Sequence, residues 1–213
     1  MSGSGERRLQ GAAALLGWVA LGVQLLLLRE RAAENGLGAA AAVGTFLAYF
    51  TILTNIGAAL SFTTRAVAST GALGRWFASP VVATGLVVSL TLVGVVYSLL
   101  LRAIWNPVGA QKFADVVMHD VMPVLLLADW FRHVPKGTLH WRDLPSWFVY
   151  PTLYLAYSMG RSTVSGWYPY PFLDLTLLSA GDVARNALIA ALAVAVLGAA
   201  AIVIDRRLGA HAR

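Results

Sequence analysis

Residues 187–204 read ALIAALAVAVLGAAAIVI, eighteen consecutive positions without one polar side chain. As a helix the run is about 27 Å long, close to the ~30 Å hydrocarbon core of a bilayer. A helix apolar on every side belongs in lipid or in the middle of a large core, and the rest of the chain decides between these. Of 213 residues 58% are hydrophobic and 12% charged, with a mean hydropathy of +0.70, whereas soluble domains carry about 25% charged residues. So few charges do not make a soluble surface of that size. The expected class is an all-α membrane protein.

Working outward from this last span, six apolar stretches qualify as candidate crossings: about 11–28, 41–63, 80–104, 114–131, 145–160 and 183–204. The fifth is the weakest. Arg7 and Arg8 before the first stretch suit a signal peptide as well, but the run is long and lacks a small-residue cleavage site, so a retained helix is expected. Ten of the sixteen Lys and Arg residues (Arg7, Arg8, Arg65, Arg75, Arg132, Lys136, Arg142, Arg206, Arg207, Arg213) fall on one side if the N-terminus is inside. The positive-inside rule then puts both termini in the cytoplasm. The connections are short and show no internal repeat, so a single integral membrane domain over 1–213 and a six-transmembrane-helix bundle are expected. The net charge of +6 is spread between apolar runs rather than gathered in one patch, which reads as topology and gives no nucleic-acid partner. The chain has no cysteine, so thiol chemistry is excluded.

Polar side chains inside such spans are costly and are the first candidates for function. Thr51, Thr54 and Asn55 share one face of the second span at i, i+3 and i+4; hydrogen bonding between helices is the plainer use of such a stripe. In the fourth span Asp115 and His119 stand one turn apart, Asp120 follows, and Pro123 removes a backbone donor near residue 119. His119 is the one histidine within a span, since His133, His140 and His211 fall outside. The histidine count and spacing give no ligand set, so neither a metal nor an organic cofactor is expected. In the fifth span Tyr150, Tyr154, Tyr157, Ser158 and Arg161 follow helical spacing, leading to a loop with Trp167, Tyr168 and Tyr170. Those loop aromatics suit an interfacial belt as well as a pocket lid. By the same criteria Arg102 and Trp105 read as interfacial anchors, and Asp129 with Arg132 as a pair at the cytoplasmic end.

At about 1.5 Å per residue, Thr51, His119 and the tyrosines lie roughly 6–15 Å below the outer helix ends, levels at which one pocket could hold them. A hydroxyl beside an imidazole has the parts of a nucleophile and its base, with Asn55 or Tyr154 available to an oxyanion. Substrates entering sideways from lipid would be lipid or fatty-acyl esters.

At these residues the chain resembles the androgen-induced and androgen-dependent membrane protein family, hydrolases of fatty acid esters of hydroxy fatty acids, and is more similar to that family's bacterial six-helix relatives. Tyr170-Pro171-Phe172-Leu173 before Asp174 resembles the family's YPFL-acidic motif. Phe50-Thr51 with Asn55, and Met118-His119 with Pro123, resemble its threonine and histidine segments, and Tyr154 falls on a family tyrosine. The resemblance implies Thr51 as nucleophile and His119 as base, and a location in a bacterial cytoplasmic membrane. Asp115 or Asp120 would orient the histidine, and Thr54, Asn55, Tyr154, Tyr157, Trp167 and Tyr170 would support the site or the substrate. Thr51 and His119 each stand one residue off the family's spacing to Asn55 and Pro123, so Thr54 is a rival nucleophile unless a helical bulge absorbs the slip. The alternative function is a lipid-binding protein or small-solute transporter using the same polar pocket.

Overall fold

The structure, a computed structural model, describes residues 3–211, of His211 only the backbone. The His211 side chain and Arg213 lie outside the described residues. No strand occurs among those described. The chain forms two compact units, one running to Pro135 and one beginning at Lys136.

The first unit holds seven helices: α1 (Gly3–Glu34), α2 (Ala39–Phe46), α3 (Phe50–Ala66), α4 (Ala72–Ala78), α5 (Pro80–Val96), α6 (Gly109–Val116) and α7 (Met122–His133). A π turn over Tyr97–Leu101 extends α5, and a second over Val117–Val121 joins α6 to α7. Helices α1 and α3 approach closely because the facing residues are small. Ala13, Ala14, Ala20, Ala58 and Ala59 are buried, and a Cβ added at Gly17 would come within 3.3 Å of Ala59 Cβ. Trp18 Nε1 donates to Thr63 Oγ1 across the same seam at 3.1 Å.

The second unit comprises a 3-10 turn (Trp141–Phe148), α8 (Val149–Ser165), a short 3-10 turn (Pro171–Leu173) and α9 (Ala180–His211). Asp205, fully buried near the end of α9, holds the entry loop: Gly137 N–H donates to its carbonyl at 3.0 Å and Leu139 N–H to its carboxylate at 2.9 Å. Gly137 takes a positive φ of 76° and lies so close to Gly209 that a Cβ on Gly209 would stand 2.4 Å from its Cα. Neither position admits a side chain.

Among the described residues three helical stretches are long and apolar enough to cross a membrane, Gly3–Glu34, Pro80–Leu101 and Ala180–Ala210, and a fourth crossing follows if α2 and α3 count as one bent span. That agrees with an integral membrane protein. The second stretch departs from the sequence expectation of one helix over 41–63: the chain turns by 82° between α2 and α3. Tyr49 is extended there (φ −91°, ψ 129°), and Thr51 becomes the second residue of a new helix instead of a mid-span residue. The fourth and fifth stretches are helical but differ from the others in kind. Residues 109–133 carry Lys112, Asp115, Asp120, Asp129 and Arg132, and α8 has only 17 residues.

Candidate functional site

The first unit gathers most of the expected polar residues around the π turn that contains His119. Its origin is local. Met122 N–H donates to Val117 O, the i to i−5 bond of a π turn, and Pro123 has no N–H to offer Met118 O in the same pattern. The Met118 carbonyl thus loses both of its intrahelical donors. Asn55 of α3 replaces them: its Nδ2 donates to Met118 O at 3.2 Å and to Thr51 O at 2.9 Å. One fully buried amide therefore ties the backbone of Thr51 to that of the residue beside His119. Gly94 of α5 makes room on the other side, where a Cβ would stand 3.1 Å from His119 O.

The imidazole is fixed from two directions. His119 Nδ1 lies 2.9 Å from Asp115 O and 3.3 Å from Asp115 Oδ1. A backbone carbonyl only accepts, so Nδ1 carries the proton, and in the neutral ring Nε2 keeps its lone pair. Tyr97, in the π turn after α5, stacks on the ring with centroids 3.9 Å apart and planes 17° from parallel, while its hydroxyl donates to Asp115 Oδ2. Asp115 is thereby held from both sides and buried. The choice between Asp115 and Asp120 as the partner of His119 resolves to Asp115. Asp120 pairs instead with Arg102, whose guanidinium also lies 4.9 Å above the Tyr97 ring; Arg102 is thus a partner of the site and not only an anchor.

Thr51, Thr54 and Asn55 are all buried, but their roles separate. Thr54 Oγ1 donates to Phe50 O at 2.7 Å, the back-bond by which a helical threonine satisfies its own hydroxyl. Asn55 has its two amide hydrogens on carbonyls, so it positions backbone and has no donor left for an oxyanion. Its Oδ1, also buried, has no hydrogen-bond partner.

No family model, no curated protein and no solved structure matches this chain.

Tyr154, Tyr157, Trp167 and Tyr170 belong to the second unit. Tyr154 and Tyr170 are buried, whereas Tyr157 is 43% and Trp167 37% exposed. Tyr170 of the Tyr-Pro-Phe-Leu run stacks on Phe172 at 5.1 Å, and Asn186 Nδ2 donates to Phe172 O at 2.9 Å, pinning that loop to α9.

Two groups were not anticipated. Tyr97 is the only aromatic residue between Pro80 and Leu101, which is the signal that could have found it. The second is the company of Asp129, which is not an isolated pair with Arg132. Asp129 accepts from Gln10 at 3.0 Å, and Arg65 Nη1 and His133 Nδ1 stand 3.3 and 2.8 Å from its carboxylate. Beside it opens a cavity of about 340 Å³ walled by Leu9, Ala13, Phe62 and Leu125. It lies some 15 Å along the helix from His119 by residue count, so the volume and the His119 chemistry are at different ends of the unit.

Proposed function

We propose that this protein is a six-span membrane enzyme, both termini cytoplasmic, that hydrolyses lipid esters of the fatty-acyl hydroxy-acid type. On this reading residues 109–133 and α8 are also crossings, and the membrane is a bacterial cytoplasmic one. The carboxylates of residues 109–133 each have a partner in such a crossing, Asp115 in Tyr97 and His119, Asp120 in Arg102 and Asp129 in Arg65. The observation that carries the activity is the placement of His119 Nδ1 against Asp115, with Tyr97 stacked on the ring, an arrangement that leaves Nε2 as the base.

His119 Nε2 takes the Thr51 hydroxyl proton as Oγ attacks the ester carbonyl, giving a tetrahedral oxyanion. Thr51 is the second residue of α3, so that charge develops at the positive end of a helix dipole. Collapse expels the alkoxide, protonated by the same imidazole, and leaves an acyl-threonine. Water, deprotonated by His119, then attacks the acyl carbon and releases the fatty acid. Thr51 is favoured over Thr54 because it is the second residue of α3, closer to the positive end of the helix dipole.

Incubating the detergent-purified protein with a palmitic ester of hydroxystearic acid, and quantifying free palmitate by mass spectrometry, tests the reading. Release by the wild type should fall by about 10²–10⁴ in His119→Ala and to background in Thr51→Ala. Intact ester after prolonged incubation, or equal release by Thr51→Ala, contradicts it and leaves the cluster as the ligand site of a binder or transporter.

A further inference from the structure

Helix α8 carries a second concentration of polar atoms that the proposed hydrolysis does not use. Ser158, Arg161 and Ser162 stand at i, i+3 and i+4, side by side on one strip of the helix. Both serines are 1% exposed. Ser158 Oγ, Arg161 Nη1 and Ser162 Oγ are all buried without a hydrogen-bond partner.

Four threonine hydroxyls in other helices are satisfied by their own backbone. Thr54 donates to Phe50 O, Thr63 to Ala59 O, Thr64 to Ser61 O and Thr84 to Pro80 O. Ser158 and Ser162 have the same option and do not take it. Arg161 is half-buried, and its Nη1 is the one charged-group atom of the three, a donor whose burial without an acceptor is costly. It is also held in place. Gly166, in the left-handed conformation at φ 68°, caps α8 by donating to Ser162 O at 2.9 Å. The chain then turns back so that the Trp167 ring lies 5.1 Å from the Arg161 guanidinium carbon. One face of the guanidinium rests on an aromatic ring, and the Nη1 edge remains for an oxygen acceptor.

We infer that Ser158, Arg161 and Ser162 form a binding site for the anionic head group, carboxylate or phosphate, of an amphiphile whose tail remains in the apolar phase. Arg161 supplies the charge-assisted bond and the two serine hydroxyls donate to the remaining oxygens. The site takes a headgroup whether or not any ester is cleaved, so it stands independently of the hydrolase reading.

Thermal unfolding of the full chain in neutral detergent, titrated with oleate, oleoyl lysophosphatidate, monoolein and inorganic phosphate, tests it. Oleate or lysophosphatidate should raise the midpoint saturably, and monoolein should not. Arg161→Gln should weaken the response about 10- to 100-fold in half-saturating concentration, and the double variant Ser158→Ala, Ser162→Ala several-fold. If Arg161→Gln does not fold, Arg161→Lys keeps the test: it should retain the preference for anions with weaker binding. A response to monoolein equal to that for oleate, an unchanged response in the Arg161 variants, or no response to either anionic lipid overturns the site. A response to inorganic phosphate at the same concentration as oleate assigns it to a soluble anion and overturns the amphiphile.

Discussion

At the scale of single residues, burial and partner decide what each polar group does. Asp115 accepts from both Tyr97 and His119, so removing its charge frees the ring it orients. Asp115→Asn is expected to lower ester turnover about 100-fold or more, because an amide can present its N–H to Nδ1 and reverse the tautomer. Tyr97→Phe keeps the stacked ring and removes one donor, and should cost about 10-fold or less; a larger loss in Tyr97→Phe than in Asp115→Asn contradicts this ranking. Asp129 is different in kind. It meets Arg65, His133 and Gln10 away from His119, so Asp129→Ala leaves Arg65 unpaired and should destabilise the fold by about 3–5 kcal/mol. Thr51→Ala should abolish turnover while the protein still unfolds in one cooperative thermal transition, the loss of one buried hydroxyl costing about 1–2 kcal/mol.

At the scale of elements, the two π turns carry the residues of the proposed site, in keeping with the frequent use of such turns at functional sites. Tyr97 belongs to one and His119 to the other. Their presence was half legible. Pro123 announced a missing donor near residue 119. Nothing comparable marked the break between α2 and α3, because no proline or glycine stands between Thr45 and Asn55. Hydropathy continues smoothly through a bend that only backbone geometry reveals. Gly94 gives the element-scale test. A side chain there meets the backbone carbonyl of His119, which cannot swing aside as a flexible tip could. Gly94→Leu should therefore destabilise by about 1–3 kcal/mol and cut turnover, whereas Gly22→Leu, with nothing within 4 Å of its added Cβ, should do neither. Equal behaviour of the two variants, measured by thermal unfolding and ester release, would remove Gly94 from the site.

At the scale of the whole molecule, composition alone was enough for an all-helical chain with several membrane-length apolar helices. The stretch 187–204 lies within the long, little-buried helix α9. The sequence offered Asp115, Asp120 and His119 as candidates but not the partners the fold gives them. Asp115 and Asp120 are indistinguishable as sequence, and Arg102, which takes Asp120, comes from another helix eighteen residues away. The orientation is directly testable because the chain has no cysteine, so single cysteines report without background. Cysteines at Ser69 and Thr138 should be labelled by a membrane-impermeant maleimide only after the cytoplasmic side is opened, and cysteines at Gly38 and Ser179 in intact cells. Labelling of all four from one side would contradict six crossings.

The most direct measurement is intact-mass spectrometry of the purified protein after exposure to a fluorophosphonate probe, comparing wild type with Thr51→Ala, Thr54→Ala and His119→Ala. A single adduct on wild type and Thr54→Ala, lost in Thr51→Ala and His119→Ala, is the expected result for a threonine nucleophile activated by this histidine. An adduct that survives in Thr51→Ala, or a folded wild type that takes no label, contradicts it.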